Sequence, residues 1–128
     1  MREIFRSWWV GQKGVVRLER KQFMSDFQKI GLAKPILRAL KSAGYTHPTP
    51  IQDLAITPLM EHKDLLGIAQ TGTGKTAAFA LPTLHLLATW GKTALRRERS
   101  ALILAPTREL DGQITDIIHA YSKDLPLR

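Results

Sequence analysis

The chain has 128 residues, 44% apolar and 23% charged, the proportions of a soluble globular protein large enough for one core. It has no cysteine, which excludes disulfides, thiol chemistry and a cysteine-based zinc site, while His47, His62, His85 and His119 lack ligand spacing. No apolar run approaches the roughly 18 residues of a membrane span, and a formal net charge of +8 suits a polyanionic partner.

The first segment, Met1 to Gln22, carries six basic and two acidic residues. Its apolar residues, among them Ile4, Phe5, Trp8 and Trp9, keep no clean period, so residues 1–22 read as a basic extension without an assigned role. Trp8-Trp9-Val10 is too short for a signal-peptide core, and Glu3 and Glu19 argue against a transit peptide. The expected location is cytoplasmic, with no membrane partner.

Phe27 then stands isolated ahead of a helix over Pro35 to Ala43, which presents Ile36, Leu37 and Leu40 and is closed by Gly44. Thr49 as cap and Pro50 at the first helical position open a second helix bearing Ile51, Leu54, Ala55 and Leu59, which Pro58 should bend or shorten. Leu65–Ala69 reads as a strand. Behind it a helix runs from Lys75 to about Ala88, with a kink expected at Pro82.

Between that strand and helix lies Ala69-Gln70-Thr71-Gly72-Thr73-Gly74-Lys75-Thr76. Gly72 and Gly74 let the backbone curl tightly and aim successive N–H groups at one anion, and the helix behind adds the positive end of its dipole. Lys75 can reach terminal phosphates, and the Thr76 hydroxyl can ligate Mg²⁺. The pattern G-x-x-x-x-G-K-[ST] is complete except at its first position, where Ala69 replaces glycine. These residues point to a nucleoside triphosphate.

The loop Gly91 to Arg99 adds Lys92, Arg96, Arg97 and Arg99 against Glu98. Ala101–Ala105 reads as a second strand, followed by Pro106-Thr107-Arg108, a strand-to-helix turn whose amides and guanidinium could hold a phosphate. Leu110, Ile114, Ile117, Ile118 and Tyr121 then fall on one helix face. Strands alternating with helices argue a parallel α/β sheet.

Three segments, Gly44–Gln52, Ala69–Thr76 and Pro106–Leu110, closely resemble the Q motif, motif I and motif Ia of the DEAD-box ATP-dependent RNA helicases, the bacterial ones in particular. The resemblance runs from about Phe23 to Arg128. It implies an α/β fold: the N-terminal portion, residues 23–128, of a RecA-like P-loop domain with an incomplete sheet. It further implies that Gln52 reads adenine, that Phe27 stacks on the base, and that Thr71, Gly72, Thr73, Gly74, Lys75 and Thr76 hold ATP and Mg²⁺. Pro106, Thr107 and Arg108 would contact single-stranded RNA. A Gln amide suits that task, because its donor and acceptor match the N6 and N7 edge of adenine and guanine offers acceptors at both positions.

Two departures stand out. The family usually has Ala after the leucine of motif Ia, where this chain has Asp111, an acid beside a phosphate path. It also has Gly where this chain has His62, at a helix end that favours left-handed backbone. No adjacent Asp-Glu pair occurs in the sequence, so the family's acidic metal-holding motif is missing, as are its second RecA-like domain and arginine fingers. The expectation is an ATP-binding segment of an RNA helicase, cut short and inactive alone. A non-catalytic ATP- or RNA-binding module is the alternative. A small-molecule P-loop kinase is disfavoured by the lack of an acceptor-substrate lid or base.

Overall fold

The computed structural model describes residues 10–11, 14–15, 26–89 and 101–125. The remainder of the 1–22 extension and the basic loop Gly91–Arg99 lie outside the described residues. A two-residue hairpin, β1 (Val10–Gly11) and β2 (Gly14–Val15), pairs antiparallel with Val10 opposite Val15. Nothing in the sequence pattern anticipates it.

Among the described residues five helices follow. The Asp26 side chain accepts from the Gln28 N–H at 3.0 Å and starts α1 (Phe27–Ile30). Helix α2 (Lys34–Ser42) carries its proline in the first turn, where no intrahelical donor is lost. Helix α3 (Pro50–Met60) also begins on proline. It continues two residues past Pro58, so that proline shortens the helix without ending it at once. Helix α4 (Lys75–Thr89) runs through Pro82, and α5 (Arg108–Ser122) closes the described body.

Helix α4 is the centre of the packing and meets α3, α5 and α2. Leu81 and Leu84 join Ile36 and Leu40 of α2, Ile56 of α3 and Tyr121 of α5 in the main core. Ile36, Leu40, Ile56 and Leu81 are fully buried, each worth about 1.5–3 kcal/mol of burial. A smaller cluster of Ile51, Ala55 and Ala78 is flanked by Leu59, Leu65 and Ala69. It joins α3 to α4 and seats the segment that leads into the glycine loop.

The two expected strands need correction. Leu65–Ala69 forms no ladder, only a single bridge at Leu66, and Ala101–Ala105 is irregular. A parallel strand needs neighbours on its edges, and none lies among the described residues. The inward positions Leu65 and Ala69 still pack on the α3–α4 cluster. The alternate residues are left open: Leu66 and Ile68 are more than half exposed, Leu102 80% and Leu104 84%. Among the described residues, no helix is long and apolar enough to cross a membrane.

His62 adopts φ +59°, in the left-handed region, directly after α3. Its N–H donates to the Leu59 carbonyl at 3.1 Å, and the Lys63 N–H to the Pro58 carbonyl at 3.0 Å. A helix end of this kind normally takes glycine, as the sequence pattern anticipates.

Candidate nucleotide-binding site

The glycine loop turns at Thr71 and Gly72 and passes through Thr73 and Gly74 directly into α4 at Lys75. Gly72 has φ +79° and Gly74 φ +86°, conformations that side-chain-bearing residues strongly disfavour. The Thr73 hydroxyl donates to the Gln70 carbonyl at 2.8 Å and braces the turn from within. The first turn of α4 contains no acidic residue, so no carboxylate of that turn opposes an anion at its positive end. The exposed Lys75 ammonium donates to the Ala69 carbonyl, across the mouth of the same loop. Thr76 is half-buried in the first turn of α4.

The start of α3 packs onto this loop. Thr49 and Gln52 stand in capping-box relation, and the Gln52 half is a hydrogen bond: the Thr49 N–H donates to Gln52 Oε1 at 3.0 Å. Gln52 Nε2 donates to the Gly74 carbonyl at 3.2 Å, across 22 residues of sequence. The Thr49 hydroxyl, by contrast, is buried without a hydrogen-bond partner. A Cβ at Gly74 would overlap the Gln52 amide and lie 3.1 Å from that hydroxyl. Glycine at position 74 is therefore needed twice, for its backbone conformation and for the close approach of α3.

The structure thus sets Gln52 against the glycine loop with both ends of its amide engaged, which sequence reasoning misses. The Thr-x-x-Gln spacing was the available signal for half of this. Phe27 lies in the main core at 4% exposure. Its N–H donates to the Thr46 carbonyl at 3.4 Å, tying α1 to the segment ahead of α3.

Pro106, Thr107 and Arg108 are exposed at the start of α5. Thr107 is the N-cap, its hydroxyl accepting from the Leu110 N–H at 3.3 Å. Glu109 and Asp111 share that first turn with Arg108, which favours the helix and opposes an anion there.

This geometry can be set beside known proteins. The family model for DEAD/DEAH box helicases matches residues 49–128, the stretch that holds α3, the glycine loop and the start of α5. The chain belongs to the DEAD/DEAH box helicase family. It is 43% identical over 104 residues to the ATP-dependent RNA helicase DeaD of Klebsiella pneumoniae, covering 81% of this chain and 15% of that protein. It is 45% identical over 102 residues to the ATP-dependent rRNA helicase RRP3 of Candida albicans, covering 80% of this chain and 18% of that one.

A crystal structure of a DEAD box protein from the hyperthermophile Methanococcus jannaschii superposes with a TM-score of 0.63 at 34% identity, covering 75% of this chain and 25% of its own. The chain therefore spans less than a fifth of the length of these two relatives. Its fold is that of part of a RecA-like DEAD-box domain, which accounts for the unpaired segments where a sheet belongs.

Proposed function

We propose that this chain is the ATP-binding segment of an ATP-dependent RNA helicase, the N-terminal portion of its first RecA-like domain over residues 23–128. The carrying observation is the glycine loop: two residues of positive φ lead into α4, and the Gln52 amide of α3 is fixed on the second. The residues fit a nucleoside triphosphate. The loop is open at Gly72, where an added Cβ would meet nothing within 4 Å, and the head of α4 offers unopposed amides.

In this reading the amides of Thr71, Gly72, Thr73 and Gly74 bind phosphate oxygens. Lys75 would exchange the Ala69 carbonyl for the terminal phosphates, and Thr76 would hold Mg²⁺. Mg²⁺, when bound, neutralises phosphate charge. Gln52 selects adenine, and the two bonds it already makes set the terms: its amide must turn from Thr49 and Gly74 to meet a base. Recognition of the base and the posture of the loop then share one side chain. Phe27 secures the approach to α3 from the core, and stacking on the base would require its ring to leave that cluster.

Pro106, Thr107 and Arg108 contact the RNA backbone, with Asp111 weakening that contact. The sequence supplies no Asp-Glu pair, so the chain on its own is proposed to bind without RNA-stimulated turnover. Completion would come from the rest of the same domain and a second RecA-like domain.

Fluorescence titration with labelled nucleotides tests the reading. ATP should bind more tightly than GTP, and Lys75→Ala should lower ATP affinity sharply. Thr76→Ala should reduce the Mg²⁺ dependence. Equal affinity for ATP and GTP would remove Gln52 from base selection. Binding of Mg·ATP unaffected by both loop substitutions would make the loop structural.

A further inference from the structure

The N-cap of α2 is Ala33, which has no side chain able to cap the helix. The device that serves α3, a polar side chain three residues in, is closed to α2, where that position is the buried Ile36. The Ala33 N–H is nevertheless satisfied. It donates to His85 Nδ1 at 3.0 Å, in a half-buried contact across 52 residues of sequence. What Gln52 does for α3 locally, a histidine on the glycine-loop helix does for α2 from a distance.

The chemistry of that bond is one-sided. A ring nitrogen can accept only while it carries no proton, so Nδ1 must be bare and the neutral ring must hold its proton on Nε2. Neighbouring side chains of α4, Leu81 and Leu84, are buried with Ile36 and Leu40 of α2, so the bond sits beside the packing that joins the two helices. Lys75, which opens α4, lies ten residues ahead of His85 on the same rod, about 15 Å along its axis.

We propose that His85 is a positioning residue: as a neutral imidazole it caps α2 and fastens the α1–α2 segment to the glycine-loop helix, and protonation releases that tie. Its importance for nucleotide binding rests on the function proposed above, but the tie itself does not. The charged groups on the helices packed against α4 are Lys34, Arg38 and Lys41 on α2 and Asp53 on α3. On α5 they are Arg108, Glu109 and Asp111 in the first turn, then Asp116 and His119. None of these charges is the cause of the lowered basicity of His85; burial is. A group whose proton affinity is lowered by folding contributes stability in full above its ordinary value of 6.5. That contribution is lost as pH falls below 6.5 and through the folded-state value.

The test is thermal unfolding of the whole chain between pH 8 and pH 5, for wild type, His85→Asn and His85→Leu. The Asn Oδ1 takes the place of Nδ1 and accepts at every pH, whereas Leu never accepts. Wild type should lose about 2–6 °C more on acidification than either variant, the shift expected for one hydrogen bond in a chain of this size. Asn should match wild type near pH 8 more closely than Leu does.

Two measurements need no variant to fold. Nitrogen NMR of the wild-type ring at neutral pH should show the proton on Nε2, and the Ala33 amide should be protected from exchange. The proposal fails if the ring carries its proton on Nδ1, if the Ala33 amide exchanges freely, or if His85→Leu keeps the wild-type acid response. All of these readouts are taken without nucleotide, so their failure is distinct from a failure of ATP binding.

Discussion

Replacing Gln52 with alanine isolates the bridge between α3 and the glycine loop. The substitution removes two hydrogen bonds with unequal consequences. The Gly74 carbonyl keeps a second donor, the Ala78 N–H at 3.1 Å, so its loss is that of one ordinary bond, about 1 kcal/mol. The Thr49 N–H loses its side-chain acceptor at a position where the neighbouring hydroxyl already lacks a partner. An orphaned, part-buried donor costs about 1–2 kcal/mol, giving a total of about 2–3 kcal/mol. For a chain of this size that lowers Tm by about 8–12 °C. Gln52→Glu should fall between, because a carboxylate can accept from Thr49 but cannot donate to Gly74. Urea or thermal unfolding without nucleotide reads all three proteins. A Gln52→Ala chain within 2 °C of wild type would refute a structural role for the bridge and leave Gln52 as a ligand-facing side chain only.

Other outcomes follow from single features. His62→Gly should stabilise the chain by about 0.5–1 kcal/mol in urea unfolding, since φ +59° suits glycine; a lower midpoint would contradict the strain argument. Gly74→Ala should be more damaging than Gly72→Ala, both to Tm and to nucleotide affinity. Both residues have positive φ, but only at Gly74 would a Cβ overlap the Gln52 amide. Thr107→Ala should cost about 1 kcal/mol through loss of the α5 cap, and Thr107→Ser should recover most of it. Replacing Leu102 and Leu104 together with threonine should reduce self-association in light scattering while changing stability by no more than about 0.5 kcal/mol, because both side chains are open.

The helices were legible because their signals are local. Proline inside the first turn marks the starts of α2 and α3, and the apolar period marks α5. The glycine loop declared itself through residue types that few other structures require in that order. The two strand segments lack their ladders because an apolar run shows only that a segment can pair. Pairing is decided by neighbours, and Leu65–Ala69 and Ala101–Ala105 have none among the described residues. The resemblance sets Phe27 at a ligand, and its depth in a core shared with side chains of α2, α3, α4 and α5 is a product of tertiary packing that no local pattern carries. The second bond of Gln52 and the bond of His85 span 22 and 52 residues. No window of local sequence contains both partners.

The sequence separations of the bonds that Thr49 and Ala33 make also bear on the order in which the chain assembles. The Gln52-to-Thr49 bond closes within one helical turn, so α3 can fix its own first residue as soon as it forms. The Ala33-to-His85 bond must wait until α4 exists and has docked, with the loop-closure entropy of 52 residues already offset by packing. The start of α2 should therefore be defined late, and substitutions at His85 should speed unfolding while hardly slowing folding. Of two neighbouring helices, one carries its own beginning and the other receives it last, from the helix that follows the glycine loop.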